Sequence, residues 1–241
     1  MKLLGLAVIC AATLVTLPAQ AQSEGWRDRL DPERLNAGEL YLELQYDGAA
    51  DGFMRYGWQA EGDEIMIYDR TMWASREIYE TMEVRVRRAD LEPASADIRF
   101  HQGGDYYVFD LNFEPGLVSG EMSAVRPGQP GASQPVDSEF EPGTIPRAAI
   151  FVIATAMPLE IGDSIQFNWY AEMSNSVAAV TLSAVEHVEI DTPGGPFSTL
   201  RLEQRGGTPA NDIFIDRETG HIVRVDVGGQ PMQFLAPAAA D

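Results

Sequence analysis

The chain carries one cysteine, Cys10, and one lysine, Lys2, both near its start. The opening stretch "MKLLGLAVICAATLVTLPAQA" has the form of a secretory signal peptide. A basic residue leads an apolar run too short for a membrane span, and Ala19-Gln20-Ala21 forms a small-x-small cleavage pattern. Ile9 is larger than the small residue a lipidation signal carries before its cysteine, which argues against Cys10 as an acylation site. Cleavage after Ala21 and export to the periplasm, with secretion as the other destination, are the expectations.

A chain beginning at Gln22 has neither residue. It can form no disulfide, and it offers no thiol nucleophile or thiolate metal ligand. It also lacks a Schiff-base lysine, a Ser–Lys dyad and a P-loop lysine. Positive charge is scarce throughout: 37 acidic residues against 17 basic ones give a formal net charge of −20. Such a field repels nucleic acid and anionic lipid surfaces. It serves solubility, or it attracts cationic ligands or Ca²⁺. Histidine is equally sparse, with three in all. His101, His187 and His221 show no zinc-motif spacing. Gly-x-Ser-x-Gly is missing, and neither Ser119 nor Ser176 has a local nucleophile context. No cofactor or metal is expected, and no catalytic residue stands out. After the opening stretch no run approaches about eighteen apolar residues, so no transmembrane segment is expected in the mature chain.

What the chain does have is a period of two. A polar N-terminal arm, residues 22–38, leads into "ELYLELQYD", where Leu40, Leu42 and Leu44 alternate with Tyr41, Glu43 and Gln45. Short alternating runs rich in β-branched and aromatic residues follow, broken by Gly, Asp or Pro turns, and read as an antiparallel meander. Seven strands are expected over residues 39–125 and about thirteen in all. Residues 126–144, "RPGQPGASQPVDSEFEPGT", read as an irregular Pro/Gly-rich surface loop joining two β-halves, 39–125 and 145–235. Residues 236–241 form a tail. In "IPRAAIFVIATAMPLEIGD", Pro146 suits the first turn of a helix and Pro158 its end, while Ile150–Ile153 also suit a buried strand. The expected fold is mainly β: an antiparallel meander forming an open barrel or strongly curved sheet, with one or two short helices.

The acid-rich stretch "NDIFIDRETGHIVRVD" resembles a site but reads as a hairpin. Asp216 sits where a turn wants a side-chain acceptor and Gly220 where positive φ is needed, leaving residues 217–219 solvated. Ile213 and Ile215 are expected on one face, and Val223, Val225 and Val227 together on one face. "EGDE" at 61–64 and "DSEFE" at 137–141 read as solvated acidic loops. The Gly-Gly pieces read as hairpin connections, because strands follow them.

Aromatics are the remaining candidates. Tyr56, Trp58, Tyr107, Phe109, Phe167 and Trp169 are candidate ligand-binding residues on the inner wall of a β-cup, if they do not simply fill a core. "MPLEIGD", "VEHVEIDTPGGPFSTLRLE" and "IFIDRETGHIVRVDV", in that order within residues 145–235, resemble a broad family of exported bacterial β-domains of unknown function. The resemblance implies a curved-sheet carrier of the envelope and supplies no catalytic residues. The expected function is non-enzymatic binding of an apolar or amphiphilic envelope component, a lipid for example, or help in its assembly. The alternatives are an envelope-directed hydrolase with a site assembled from separate strands, and a module that pairs with an envelope protein through a sheet edge.

Overall fold

The computed structural model describes residues 25–238. The expected signal sequence, Cys10, the expected cleavage position and the last residues of the tail lie outside the described residues. The strands are β1 (Ala37–Tyr46), β2 (Ala49–Glu61), β3 (Glu64–Trp73), β4 (Ile78–Arg87), β5 (Pro93–Gln102), β6 (Asp105–Glu114), β7 (Leu117–Val125), β8 (Ala132–Glu139), β9 (Ile145–Pro146), β10 (Ser164–Ala171), β11 (Ser176–Thr192), β12 (Gly195–Arg205), β13 (Asn211–Asp216), β14 (Ile222–Val227) and β15 (Met232–Leu235). All belong to one 15-stranded sheet in the order β8 to β1, then β15 to β9. Every ladder is antiparallel except the short β9–β10 pair. Two meanders are thus spliced where β1 pairs with β15, Leu44 opposite Phe234.

The fold is mainly β and strongly curved, as the alternation implied. Bulges at Leu44/Gln45, Arg85/Val86, Ala184/Glu186 and Phe214/Ile215 bend individual strands. The sheet wraps until its two ends approach one another without sharing a ladder. Side chains bridge that seam instead. Tyr170 of β10 packs edge-on to Phe113 of β6 at 5.3 Å and against Phe140 at 5.9 Å. Asn175 donates to Ser138 Oγ at 3.0 Å.

Residues 126–144 are not an irregular loop: they contain β8, which explains one of the two strands beyond the expected thirteen, the other being β9. Pro and Gly masked it. β8 is an edge strand, where Pro135 can lack an N–H without breaking a ladder, and where few apolar residues are needed because only Val136 is buried. Part of "DSEFE" is likewise inside the fold, with Phe140 in the core.

The segment after β9 is helical, and the buried-strand alternative for Ile150–Ile153 is not taken. A 3₁₀ turn, Arg147–Ala149, continues into helix α1 (Ile150–Ala156). The helix is apolar nearly all round and is enclosed by the sheet, which is what such a surface requires. Most of the buried apolar residues of the strands, Val118 of β7 and Val136 of β8 included, form one core cluster with it.

The hairpin β13–β14 forms as read. Asp216 accepts from the Thr219 amide at 3.0 Å and its hydroxyl at 2.6 Å, and Gly220 has φ +74°. Val223 differs from expectation. The bulge at Phe214/Ile215 puts Ile222 into the main core and turns Val223 outward, into a small cluster with Phe214 and Ile190.

The N-terminal arm closes one end of the curved sheet. Trp26 is buried and packs 5.6 Å from Phe167. Arg27 donates to the Asp90 and Gly143 carbonyls, both at 2.6 Å. The Asp31 amide donates to Ala156 at the end of α1, and Trp58 donates to the Arg34 carbonyl, both at 2.9 Å. No described helix is long and apolar enough to cross a membrane.

Candidate functional site

At the end opposite the arm, a cavity of about 220 Å³ lies between the sheet and the start of α1. Met54, Met82, Val225, Val227, Met232 and Phe234 give it an apolar wall drawn from both meanders. Ile150 and Phe151 form its floor, and Phe151 meets the Tyr56 ring edge-on at 5.2 Å.

One wall is polar. Asp69, Thr71, Glu80 and Arg147 line the same space. Asp69 occupies the inward phase of β3, following Ile65 and Ile67; Glu80 occupies that of β4, preceding Met82, Val84 and Val86. The register sets Thr71 opposite Glu80 and Asp69 opposite Met82, so the two carboxylates are diagonal neighbours on one face. Thr71 Oγ1 donates to Asp69 Oδ1 at 2.7 Å. Both acids keep some accessible surface, but it faces the cavity.

A third carboxylate, Glu172 in the turn after β10, is 1% exposed. It lies 3.8 Å from Arg147 Nε, beyond hydrogen-bond range, and neither of its oxygens has a hydrogen-bond partner. Burial raises the pKa of all three acids. For Asp69 the value reaches about 7, through burial first and repulsion from Glu80 second, against the opposing pull of Thr71, Arg147 and Arg70. Glu80 and Glu172 are raised by burial and drawn back by Arg147. The Arg147 guanidinium thus acts on all three carboxylates, and Arg70 on Asp69 besides.

Of the six aromatic candidates, Tyr56 and Trp169 line this cavity. Burial holds the Tyr56 phenol well above its ordinary pKa, so it remains a donor, and it gives its proton to the Ala148 carbonyl at 2.6 Å. Tyr56→Phe should therefore cost about 1–2 kcal/mol by leaving that carbonyl unpaired. An unchanged urea midpoint would show that the bond contributes nothing. Trp169 is 1% exposed, and its indole N–H has no partner. Gly207, at φ +70°, lets the ring lie against the chain, since a Cβ there would collide with the indole.

The other four are elsewhere. Trp58 anchors the arm, and Phe167 packs on Trp26. Phe109 fills the core, and Tyr107 bonds Asp105 at 3.0 Å. They form no common wall. The acids and Arg147 escaped notice because acidic residues are abundant. A charge on the apolar phase of an alternating strand, as in Ile65-x-Ile67-x-Asp69, is the signal that would have found them.

The histidines do not converge. His101 stacks at 4.3 Å against Tyr106 on the outer face, and His187 and His221 border grooves at the arm end. Arg34 spans that end, reaching the Thr155 and Gly220 carbonyls at 3.4 and 3.3 Å. Among the described residues, no three His, Cys, Asp or Glu side chains are grouped so as to hold a metal ion. Compared with protein-family models, curated proteins and solved structures, the chain matches none.

Proposed function

We propose that this is an exported envelope protein that binds a small apolar or amphiphilic molecule without transforming it. The cavity at the open end of the sheet carries this reading. Its volume is about 220 Å³, whereas a 150 Å³ apolar cavity suffices for benzene, so about nine non-hydrogen atoms fit. A longer molecule would place only one end inside. Pairing through a sheet edge has less support, because β8 carries Pro135, Asp137 and Glu139 along its edge and is partly covered at the seam. The hydrolytic alternative calls for one of the three histidines to converge with carboxylates, and no histidine lines the cavity.

Native mass spectrometry on the exported chain, followed by organic extraction, tests the reading. The expected result is a bound small molecule, or uptake of an added short-chain amphiphile, that is lost in Val225→Phe with the circular-dichroism spectrum intact. A clean apo mass with no uptake would sink it.

A further inference from the structure

We propose that the cavity selects a cationic amphiphile, one whose amine sits between Asp69 and Glu80 while its chain lies against Met54, Met82, Val225 and Phe234. This rests on the preceding reading of the cavity as a binding site and names the chemistry of its ligand.

Two independent observations converge. The first is a charge deficit. Asp69 from β3 and Glu80 from β4 line the cavity with one cation, Arg147, which leads into α1 and is already 3.8 Å from the buried Glu172 behind the wall, while Arg70, which also acts on Asp69, pairs with Glu83. The remaining polar groups nearby are uncharged: Thr71, the Tyr56 phenol and Asn211. Charges this enclosed require a partner or a proton. Below about pH 7 a proton on Asp69 offsets part of the deficit. An ammonium group would take its place, adding positive charge beside the two carboxylates that line the cavity.

The second observation is the Trp169 indole N–H. Trp169 lines the same cavity, and its N–H, packed at Gly207 beside that space, has no acceptor. A buried donor left unpaired costs about 1–3 kcal/mol. A ligand with an oxygen next to its amine would supply the acceptor. The carboxylates and the indole therefore ask for complementary features of one molecule, a donor cation with an adjacent acceptor. A metal ion answers neither need, since the carboxylates are not grouped as metal ligands and an ion accepts no hydrogen bond. The size also fits, because a chain of eight carbons with one amine has about the nine heavy atoms that the volume admits.

Three probes of equal length separate the possibilities: octylamine, octanol and octanoate, titrated into the exported chain at pH 8 by calorimetry. Octylamine should bind at least ten-fold more tightly than octanol, and octanoate more weakly than either. The Asp69→Asn/Glu80→Gln double variant should retain octanol binding and lose the preference for the amine. Amine binding should weaken several-fold at pH 5.5, where Asp69 holds its proton, and should release protons there but few at pH 8. The amino alcohol of the same chain length should gain several-fold over octylamine in the wild type and nothing in Trp169→Phe. Octanol and octylamine binding equally, or an amine preference that survives the double variant, would overturn the assignment and leave the cavity a plain apolar site. Binding of none of the probes would overturn both.

Discussion

Trp26→Ala should lower the stability of this protein by about 4 kcal/mol, a loss typical of truncating a buried tryptophan. In a chain of this size that is a fall of roughly 10 °C in the thermal midpoint. The residue lies in an arm that composition marks as peripheral, yet it is 2% exposed. Its indole fills the space beside Phe167, and the Arg27 guanidinium lies over its ring at 4.5 Å. From there the arm reaches the Asp90 carbonyl, Gly143, the end of α1 and the β13–β14 turn. Removing the anchor loosens contacts that join both meanders and the enclosed helix. Arg29→Ala is the control. Its ion pair with Asp163, at 2.9 Å, joins two side chains 42% and 33% exposed, and such pairs contribute less than about 1 kcal/mol. Equal midpoints for the two variants would refute the structural role of the arm.

Asp69→Asn should stabilise the protein at pH 8 and leave it nearly unchanged at pH 4. The ordinary pKa of 3.8 is raised to about 7 in the fold. Between those values the native state holds a proton that the unfolded chain has released. Stability from this group is therefore complete below about pH 4, falls as pH rises, and is gone above pH 7. Full conversion of the shift would give about 4 kcal/mol. Because the side chain keeps accessible surface, about 1–3 kcal/mol is the expected gain for the asparagine at pH 8. Asparagine also retains the oxygen that accepts from Thr71. Thermal midpoints of both proteins from pH 4 to pH 8.5 measure the difference curve directly. Parallel curves would mean that Asp69 ionises normally. Asp90, Asp163 and Asp216, whose pKa values are lowered, act in the opposite sense and at lower pH, so they cancel in this comparison.

The two predictions concern residues of unequal legibility. Trp26 stood in plain view as a large apolar residue in a polar arm, but nothing local indicated what it would meet. Asp69 was hidden among many acids. Its distinguishing mark is its phase, two residues after Ile67 on a strand whose inward positions are otherwise apolar. The aromatic candidates misled for a related reason. Alternation assigns a side chain to a face, and Tyr56, Trp58, Phe109, Phe167 and Trp169 all bury that face as expected. It says nothing about position along the strand axis, which separates Tyr56 and Trp169 at the open end from Trp58 at the closed one.

Composition and local pattern alone determined the class of fold, the hairpin at residues 211–227, most strand positions and the absence of cysteine and lysine after Cys10. Each depends on short-range physics: side chains alternate along a strand, a turn needs particular backbone angles, and a residue type is present or absent. Tertiary structure alone decided the edge strand β8, the outward turn of Val223 at a bulge, the closing role of Trp26 and the meeting of three carboxylates with one arginine. Asp69, Glu80, Arg147 and Glu172 are brought together from four separate elements by the curl of the sheet around α1. That curl arises from the summed twist and bulges of many strands, which no local stretch encodes.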